Sequence, residues 1–242
     1  MKTAAGTVDV VDLAGLRVLR LSHPGHGNSI DTATLVALIA ALETAPRAGL
    51  PLVIEGEGGC FSAGYPLAEM RRFDGTTAVA YCRLAHQAVA AVERWPGVTI
   101  ALVRGACLGP GLELALGCDL IAAAPGARFA LPGLAFGLMP AAGGVRRLAA
   151  RTSQAVVRDV FLIGRSLRAG EARQAGIVDR IVGTTTAAER VAQRWGRWNQ
   201  ASVAAIRSLR LAKQGHPEPV LEADLFAAGF ASGDIQRRLA AG

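Results

Sequence analysis

Aromatic residues make up only 5% of the 242-residue chain. A core built on large rings is thereby excluded, and the interior has to come mainly from Ala, Val and Leu. Four cysteines (Cys60, Cys82, Cys107 and Cys118) form no CxxC pair and no His-flanked metal spacing, which argues against a disulfide framework or a metal centre and for small buried hydrophobes. Long apolar runs are also missing. The longest, 98–120, is broken by Arg104, Glu113 and Asp119 and falls short of the ~18 uninterrupted apolar residues of a spanning helix, so no membrane association is expected. Asp9 and Asp12 precede any apolar signal core, and a cytoplasmic location is the expectation. The formal net charge of +7 comes from basic residues spread along the chain, some in pairs such as Arg71-Arg72, Arg146-Arg147 and Arg237-Arg238, without interleaved aromatics. Charge of this sign suits nucleic acid, an anionic membrane or a polyphosphorylated small molecule alike, and the lack of interleaved aromatics makes a dedicated nucleic-acid groove the weaker reading.

What is present is 51% hydrophobic residues, 19% charged residues and 29 glycines. This composition suits one large globular core with many tight turns and close backbone approaches, and it favours layered α/β packing. Apolar runs at 8–11 and 16–21 read as a hairpin, and a Pro/Gly/Asn loop at 22–28 follows. Ser29 or Asp31 can cap a helix that reaches about Thr44. Further strands are expected at 52–55, 98–103, 120–124 and 128–131, with a long helix at 76–94 stopped by Trp95-Pro96-Gly97 and another beginning near Gly111. From about Pro140 the pattern turns helical, at 141–150, 153–163, 169–175, 186–199, 202–213 and after Pro219, interrupted by a strand at 177–182. The expected division is a β/α core, 1–183, and a helical region, 184–242, that packs on the core or on another subunit.

Two loops, 61–65 and 105–111, each link a buried strand to a helix through small residues. Backbone N–H groups at such helix starts lack intrahelical partners and carry positive partial charge. Two of them aimed at one point would stabilise the oxygen of an enolate or a tetrahedral intermediate; either loop alone also reads as an ordinary glycine turn.

Together the loops resemble something more specific. Phe61-Ser62-Ala63-Gly64-Tyr65-Pro66-Leu67 resembles the FSAGxDL loop of the crotonase (enoyl-CoA hydratase/isomerase) superfamily. Residues 105–119 resemble its G-x-x-x-G-G-G-x-E-L-A-x-x-C-D segment, and 131–144 its PE-x-x-x-G-x-x-P-x-x-GG segment. His23-Pro24-Gly25-His26-Gly27-Asn28 stands where RP-x-x-x-N would contact coenzyme A. The resemblance runs from about residue 8 to 182. It implies a crotonase-type spiral of ββα units, a carboxy-terminal helical region used to form a homotrimer or hexamer, and an acyl-CoA or acyl-carrier-protein thioester as substrate. No separate cofactor and no metal is implied, since coenzyme A comes with the substrate. The family pattern makes Tyr65 N–H one oxyanion donor, puts His23, His26, Ser62, Ala63, Gly64 and Leu67 against coenzyme A, with Ala63 beside the adenine, and gives Glu113 the role of acid/base in a largely apolar pocket.

Three positions depart from the pattern. Pro66 replaces the usual Asp. Pro110 occupies the second oxyanion-donor position and has no N–H, so Gly109 or Gly111 would have to supply the donor. Gly133 stands where hydratases carry a second acid/base glutamate, and no acid is present at 139–142 either. His86, within the 76–94 helix, reads more readily as a solvated or core histidine than as a catalytic one, and Arg20 and Lys213 are candidate phosphate neighbours. Two functional readings follow from the resemblance: an enzyme that isomerises or hydrates an enoyl thioester through an enolate, with Glu113 moving the proton, and a non-catalytic thioester-binding or scaffold subunit.

Overall fold

The computed structural model describes residues 5–13, 15–44 and 49–183, with positions 190, 194 and 240 beyond them. The chain opens with a hairpin of β1 (Thr7–Leu13) and β2 (Leu16–Ser22), paired from Thr7↔Ser22 to Leu13↔Leu16. The turn is therefore tighter than the 12–15 expected from sequence. Helix α1 (Thr32–Glu43) starts at Asp31, whose side chain accepts the Thr34 N–H.

Strand β3 (Leu52–Gly56) pairs in parallel with β2, and a short 3-10 turn, Glu57–Gly59, follows it. Helix α2 (Leu67–Met70) is a single turn that the sequence reading did not contain, and α3 (Gly75–Glu93) is capped reciprocally by Asp74 and Thr77. Next come β4 (Thr99–Val103), β5 (Ala106–Leu108) and α4 (Pro110–Gly117), then β6 (Leu120–Ala123) and β7 (Arg128–Ala130). A 3-10 turn at Pro132–Phe136 precedes α5 (Gly144–Arg151), α6 (Gln154–Phe161), β8 (Leu167–Arg168), α7 (Ala169–Gln174) and β9 (Arg180–Ile181).

The opening hairpin lies within one sheet; after it, β4 and β6 each precede a strand, β5 and β7, that goes to the other sheet. The larger sheet has the order β1-β2-β3-β4-β6-β9, and the smaller one β5-β7-β8. Ser62 joins the smaller sheet through a parallel bridge to Cys107. The segment 104–110, expected as a loop, thus contains the strand β5.

Period-two alternation divides the larger sheet between two apolar layers. Leu19, Leu21, Leu52, Ile54, Ala101, Val103, Ile121 and Ala123 face the helices in the main core. Their neighbours Leu16, Val18, Val53, Ile100, Leu102 and Ala122 form a second cluster on the opposite face. Every residue of β3 and β4 is buried, as parallel strands covered on both faces require. Trp95 Nε1 donates to the Leu50 carbonyl at 2.7 Å, tying the end of α3 to the start of β3.

Two boundaries differ from expectation for local reasons. The helix expected at 141–150 begins only at Gly144, because the N–H groups of Ala141 and Ala142 are directed to Glu113. The strand expected at 177–182 shrinks to Arg180–Ile181, since the N–H groups of Ile177 and Val178 close on the Ala172 carbonyl behind α7. The carboxy-terminal helices expected at 186–199, 202–213 and after Pro219 lie outside the described residues, apart from the single helical positions 190, 194 and 240. No helix among the described residues is long and apolar enough to cross a membrane.

Candidate active site

The two small-residue loops meet. Phe61 N–H donates to the Arg104 carbonyl at 2.8 Å, Ser62 N–H to Ala106 at 2.9 Å, and Leu108 N–H returns to Ser62 at 3.0 Å. Gly64 has φ +93°, and a Cβ there would stand 2.8 Å from the Leu108 carbonyl oxygen, so only glycine allows the loops to touch. Asn28, the one non-glycine residue with positive φ among the described residues (φ 56°), holds the first loop from the other side. Its side-chain amide donates to the carbonyls of Glu57 at 2.9 Å and Cys60 at 2.7 Å.

Beside this junction lies a cavity of about 440 Å³. His23, His26, Ala63, Tyr65 and Leu67 line it, as do Ser29, Asp31, Glu69 and Arg72, four residues outside the family pattern of the sequence. The two imidazoles pack with ring centroids 4.6 Å apart, and His23 Nδ1 lies 3.1 Å from both the hydroxyl and the carbonyl oxygen of Ser29. Burial alone would raise the Asp31 carboxyl, but the Thr34 hydroxyl and the N–H groups of Gly6 and Thr34, with His23 nearby, hold it below its ordinary value. An Asp at an N-cap is a local signal; its second role in the cavity depends on tertiary folding.

Two residues of the expected coenzyme A set are not in the cavity wall. Ser62 is 0% exposed: its strand-like bridge to Cys107 turns the side chain inward, where Oγ accepts the Gly64 N–H at 3.1 Å. Gly64 is buried, and its carbonyl accepts the Ile30 N–H at 2.9 Å. Both shape the loop that presents Ala63 and Tyr65. Arg20 lies elsewhere, with Nε and one terminal nitrogen on Glu55 Oε1 at 3.0 and 2.9 Å, and Lys213 is outside the described residues.

At the head of α4, Pro110 takes the first helical position and Gly109 the cap. The Gly109 N–H donates to the Ala130 carbonyl at 3.0 Å as part of the smaller sheet, so this candidate donor is committed to the fold. Gly111 lies in the first helical turn, whose N–H groups have no intrahelical acceptor.

Glu113, one turn further on, is 0% exposed. Its surroundings are not the apolar pocket expected from sequence. Oε2 accepts the Ala141 N–H at 3.1 Å, and Oε1 accepts those of Ala142 and Gly144, each at 2.8 Å. Hydrogen bonds from backbone N–H groups compensate a buried carboxylate charge and fix its orientation. Arg147 supports the same loop, donating to the Ala142 carbonyl while its Nε and second terminal nitrogen engage Glu93 at 2.8 and 2.9 Å.

Tyr65 stands between the loops. Its phenol donates to the Met139 carbonyl at 2.8 Å, and its ring lies on Gly109, where a Cβ would come within 3.2 Å of Cδ2. On the far side is a second, small cavity of about 10 Å³, lined by Tyr65, Gly109, Leu131, Gly133, Leu134, Leu138, Pro140 and Phe161. Gly133 is buried there, and a Cβ on it would meet the Leu138 carbonyl oxygen at 2.9 Å. His86 is half-buried on α3 near Gly143, whose Cβ would lie 3.7 Å from His86 Cε1. Among the described residues Cys82, Cys107 and Cys118 are buried and Cys60 is half-buried. No group of three His, Cys, Asp or Glu side chains among those residues is placed to hold a metal ion.

Comparison with known proteins agrees with this architecture. The sequence profile of the enoyl-CoA hydratase/isomerase family matches residues 12–228. The chain is 32% identical over 210 residues to the 2,3-dehydroadipyl-CoA hydratase of Escherichia coli strain K12, covering 86% of this chain and 82% of that protein. It is 28% identical over 236 residues to the crotonyl-CoA hydratase of Syntrophomonas wolfei, covering 93% and 90%. In structure it superposes on an enoyl-CoA hydratase/isomerase from Mycobacterium paratuberculosis with a TM-score of 0.89 at 22% identity, covering 97% of this chain and 98% of the other, a likeness of fold. The fold is of the crotonase type, and the chain belongs to the enoyl-CoA hydratase/isomerase family.

Proposed function

We propose that the protein is an acyl-CoA enzyme of the enoyl-CoA hydratase/isomerase type that works through an enolate. The observation that carries the reading is the junction of the two loops: the Ser62–Cys107 bridge and the Gly64–Leu108 contact set Tyr65 beside the head of α4, at the edge of the 440 Å³ cavity. A thioester whose coenzyme A portion occupies the cavity, against His23, His26, Ala63 and Leu67, has its carbonyl at that junction. The backbone N–H of Tyr65 is one oxyanion donor. Pro110 has none to give and the Gly109 N–H is bonded to Ala130, which leaves Gly111 N–H as the second. Donors fixed before the reaction stabilise the enolate oxygen without reorganisation.

Glu113 is the proton carrier in this reading. Its Oε2 accepts the N–H of Ala141, the neighbour of Pro140, and Pro140 borders the small cavity beyond Tyr65. With Gly133 in place of a second acid, one carboxylate removes and returns the proton. That favours double-bond isomerisation, or hydration with a single acid/base, over a two-glutamate hydration. The names of the two relatives, both hydratases of enoyl thioesters, support an enzyme over the scaffold reading. We extend the proposal to a cytoplasmic homotrimer or hexamer on the family resemblance alone.

The test is incubation of the full chain with crotonyl-CoA and with a 3-enoyl-CoA, followed by mass spectrometry and chromatography of the products. Gain of water or migration of the double bond supports the enzyme; tight binding with no product under either condition returns the protein to the binding-subunit class. Size-exclusion chromatography with light scattering reads the assembly.

A further inference from the structure

We propose that the Glu93–Arg147 ion pair is a positioning device for the Glu113 carboxylate, acting through the turn at 141–144. The role of Glu113 as proton carrier rests on the function proposed above; the support given to its carboxylate rests on geometry.

Oε1 of Glu113 sits in a small concavity of backbone. The N–H groups of Ala142 and Gly144 converge on it, each at 2.8 Å, and Gly143 between them takes the left-handed conformation, φ +79°. Two N–H groups separated by a residue in that conformation form a nest, an arrangement that receives an anionic oxygen. Their directions depend on the peptide unit that joins Ala142 to Gly143, because that rigid plane links the torsions on either side of it. Arg147 grips this unit. One terminal nitrogen donates to the Ala142 carbonyl, and it lies so near Gly143 that a Cβ there would collide with it.

The guanidinium is itself held. Its Nε and second terminal nitrogen reach the two carboxylate oxygens of Glu93 at 2.8 and 2.9 Å, a paired contact that fixes the plane of the group as well as its charge. Arg147 is buried on α5, and Glu93 is the last residue of α3. The turn that receives Glu113 is thus anchored to the end of a 19-residue helix as well as to its own. A lysine in place of Arg147 would keep the charge but lacks the fork that holds Glu93 and the carbonyl together. Neither member of the pair lines the 440 Å³ or the 10 Å³ cavity, so the pair acts on the reaction through Glu113.

Steady-state turnover of crotonyl-CoA and of a 3-enoyl-CoA by the full chain tests this strut in a double-mutant cycle. Arg147→Lys and Glu93→Gln are each made alone and together with Glu113→Gln. With Glu113 present, each lowers kcat by about tenfold, the cost of a misdirected carboxylate, and leaves KM within about twofold. With Glu113→Gln, the same substitutions lower the residual kcat by less than about twofold, since the side chain they aim no longer moves the proton. A link that serves only to join α3 to α5 would lower kcat equally on both backgrounds; that result overturns the proposal, and so does a loss carried by KM. Circular dichroism establishes that each variant is folded, and should Arg147→Lys fail to fold, Glu93→Gln decides. If the wild type converts neither thioester, the enzymatic reading falls, and the urea midpoints of the same proteins decide the strut on their own, as they do where Glu113→Gln leaves no measurable rate. A smaller drop in midpoint on the Glu113→Gln background keeps the strut, because fewer nest contacts remain to be disturbed, and equal drops overturn it.

Discussion

Glu113 Oε1 accepts the N–H of Gly144 at 2.8 Å, and a Cβ on that glycine would stand 2.8 Å from Glu113 Cγ. The bond and the close approach are two aspects of one requirement: the carboxylate sits flat against the backbone at the start of α5, which only a residue without a side chain permits. Gly144→Ala therefore drives the two apart. The expected loss of stability is about 1–3 kcal/mol from overpacking, read as a lower urea midpoint, together with a fall in kcat larger than any change in KM. A variant with wild-type stability and turnover would show that the carboxylate tolerates displacement.

Glu113→Gln tests the proton-carrying role directly. An amide keeps the shape but puts an NH2 group in place of one of the two oxygens that accept these N–H groups, so one hydrogen bond at least is lost, at about 1–3 kcal/mol of stability. Turnover of an enoyl-CoA is expected to drop by roughly 100-fold or more, the worth of a positioned acid/base, while the dissociation constant for butyryl-CoA changes little. Equal turnover in the variant and the wild type would assign Glu113 to the fold alone.

Much of this was legible in the sequence, and for identifiable reasons. The strands at 52–55, 98–103 and 120–124 are mainly apolar, broken only by Glu55 and Thr99, as parallel strands buried on both faces require. The helix starts at Asp31, Asp74 and Ser153 carry local capping side chains. The environment of Glu113 was not legible, because its donors come from Ala141, Ala142 and Gly144, 28 to 31 residues away, and backbone N–H groups leave no trace in residue type. Nor was the inward turn of Ser62, which follows from a single bridge to Cys107. Arg72 and Glu69 reach the cavity from the one-turn helix and the turn behind it, a segment too short for periodicity to reveal.

Gly133→Glu is the substitution that would supply a second carboxylate. The Cβ alone would meet the Leu138 carbonyl oxygen at 2.9 Å, and the rest of the side chain would enter a chamber lined by leucines and Phe161. The expected outcome is a protein destabilised by about 2 kcal/mol or more, from overpacking and from a charge without a partner, with no gain in hydration. A stable variant with faster hydration of crotonyl-CoA would reverse the reading that the chain has moved away from a two-glutamate mechanism.

Asp31 predicts a pH dependence. Its carboxyl is held below the ordinary value by hydrogen bonds from Thr34 and Gly6 that outweigh the cost of burial. A carboxyl depressed on folding binds fewer protons in the folded state, so its contribution is fully present above about pH 4, the unfolded value, and is lost as pH falls through the lower folded value. The stability difference between wild type and Asp31→Asn should be largest near about pH 6 and shrink toward about pH 3, as read by urea midpoints. A difference constant over that range would mean that Asp31 contributes by shape and capping geometry, not by charge.

Pro110→Gly asks whether the missing N–H limits catalysis. Proline at the first helical position is favourable for the start of α4, since its fixed φ suits the helix and its absent donor has no intrahelical partner there. Replacing it loosens the unfolded chain, and a stability loss of about 1 kcal/mol is expected. Against that loss, the new N–H occupies the position from which the family pattern donates to the thioester oxygen. A correctly placed oxyanion donor is worth about 100-fold in kcat, and if Gly111 substitutes for it only partly, a rise of about tenfold is the expected result, with binding of butyryl-CoA nearly unchanged. The separation of kcat from binding matters here, because a merely looser loop would weaken both. Unchanged kcat with the predicted loss of stability would mean that Gly111 N–H already fills the position and that Pro110 serves the helix start alone.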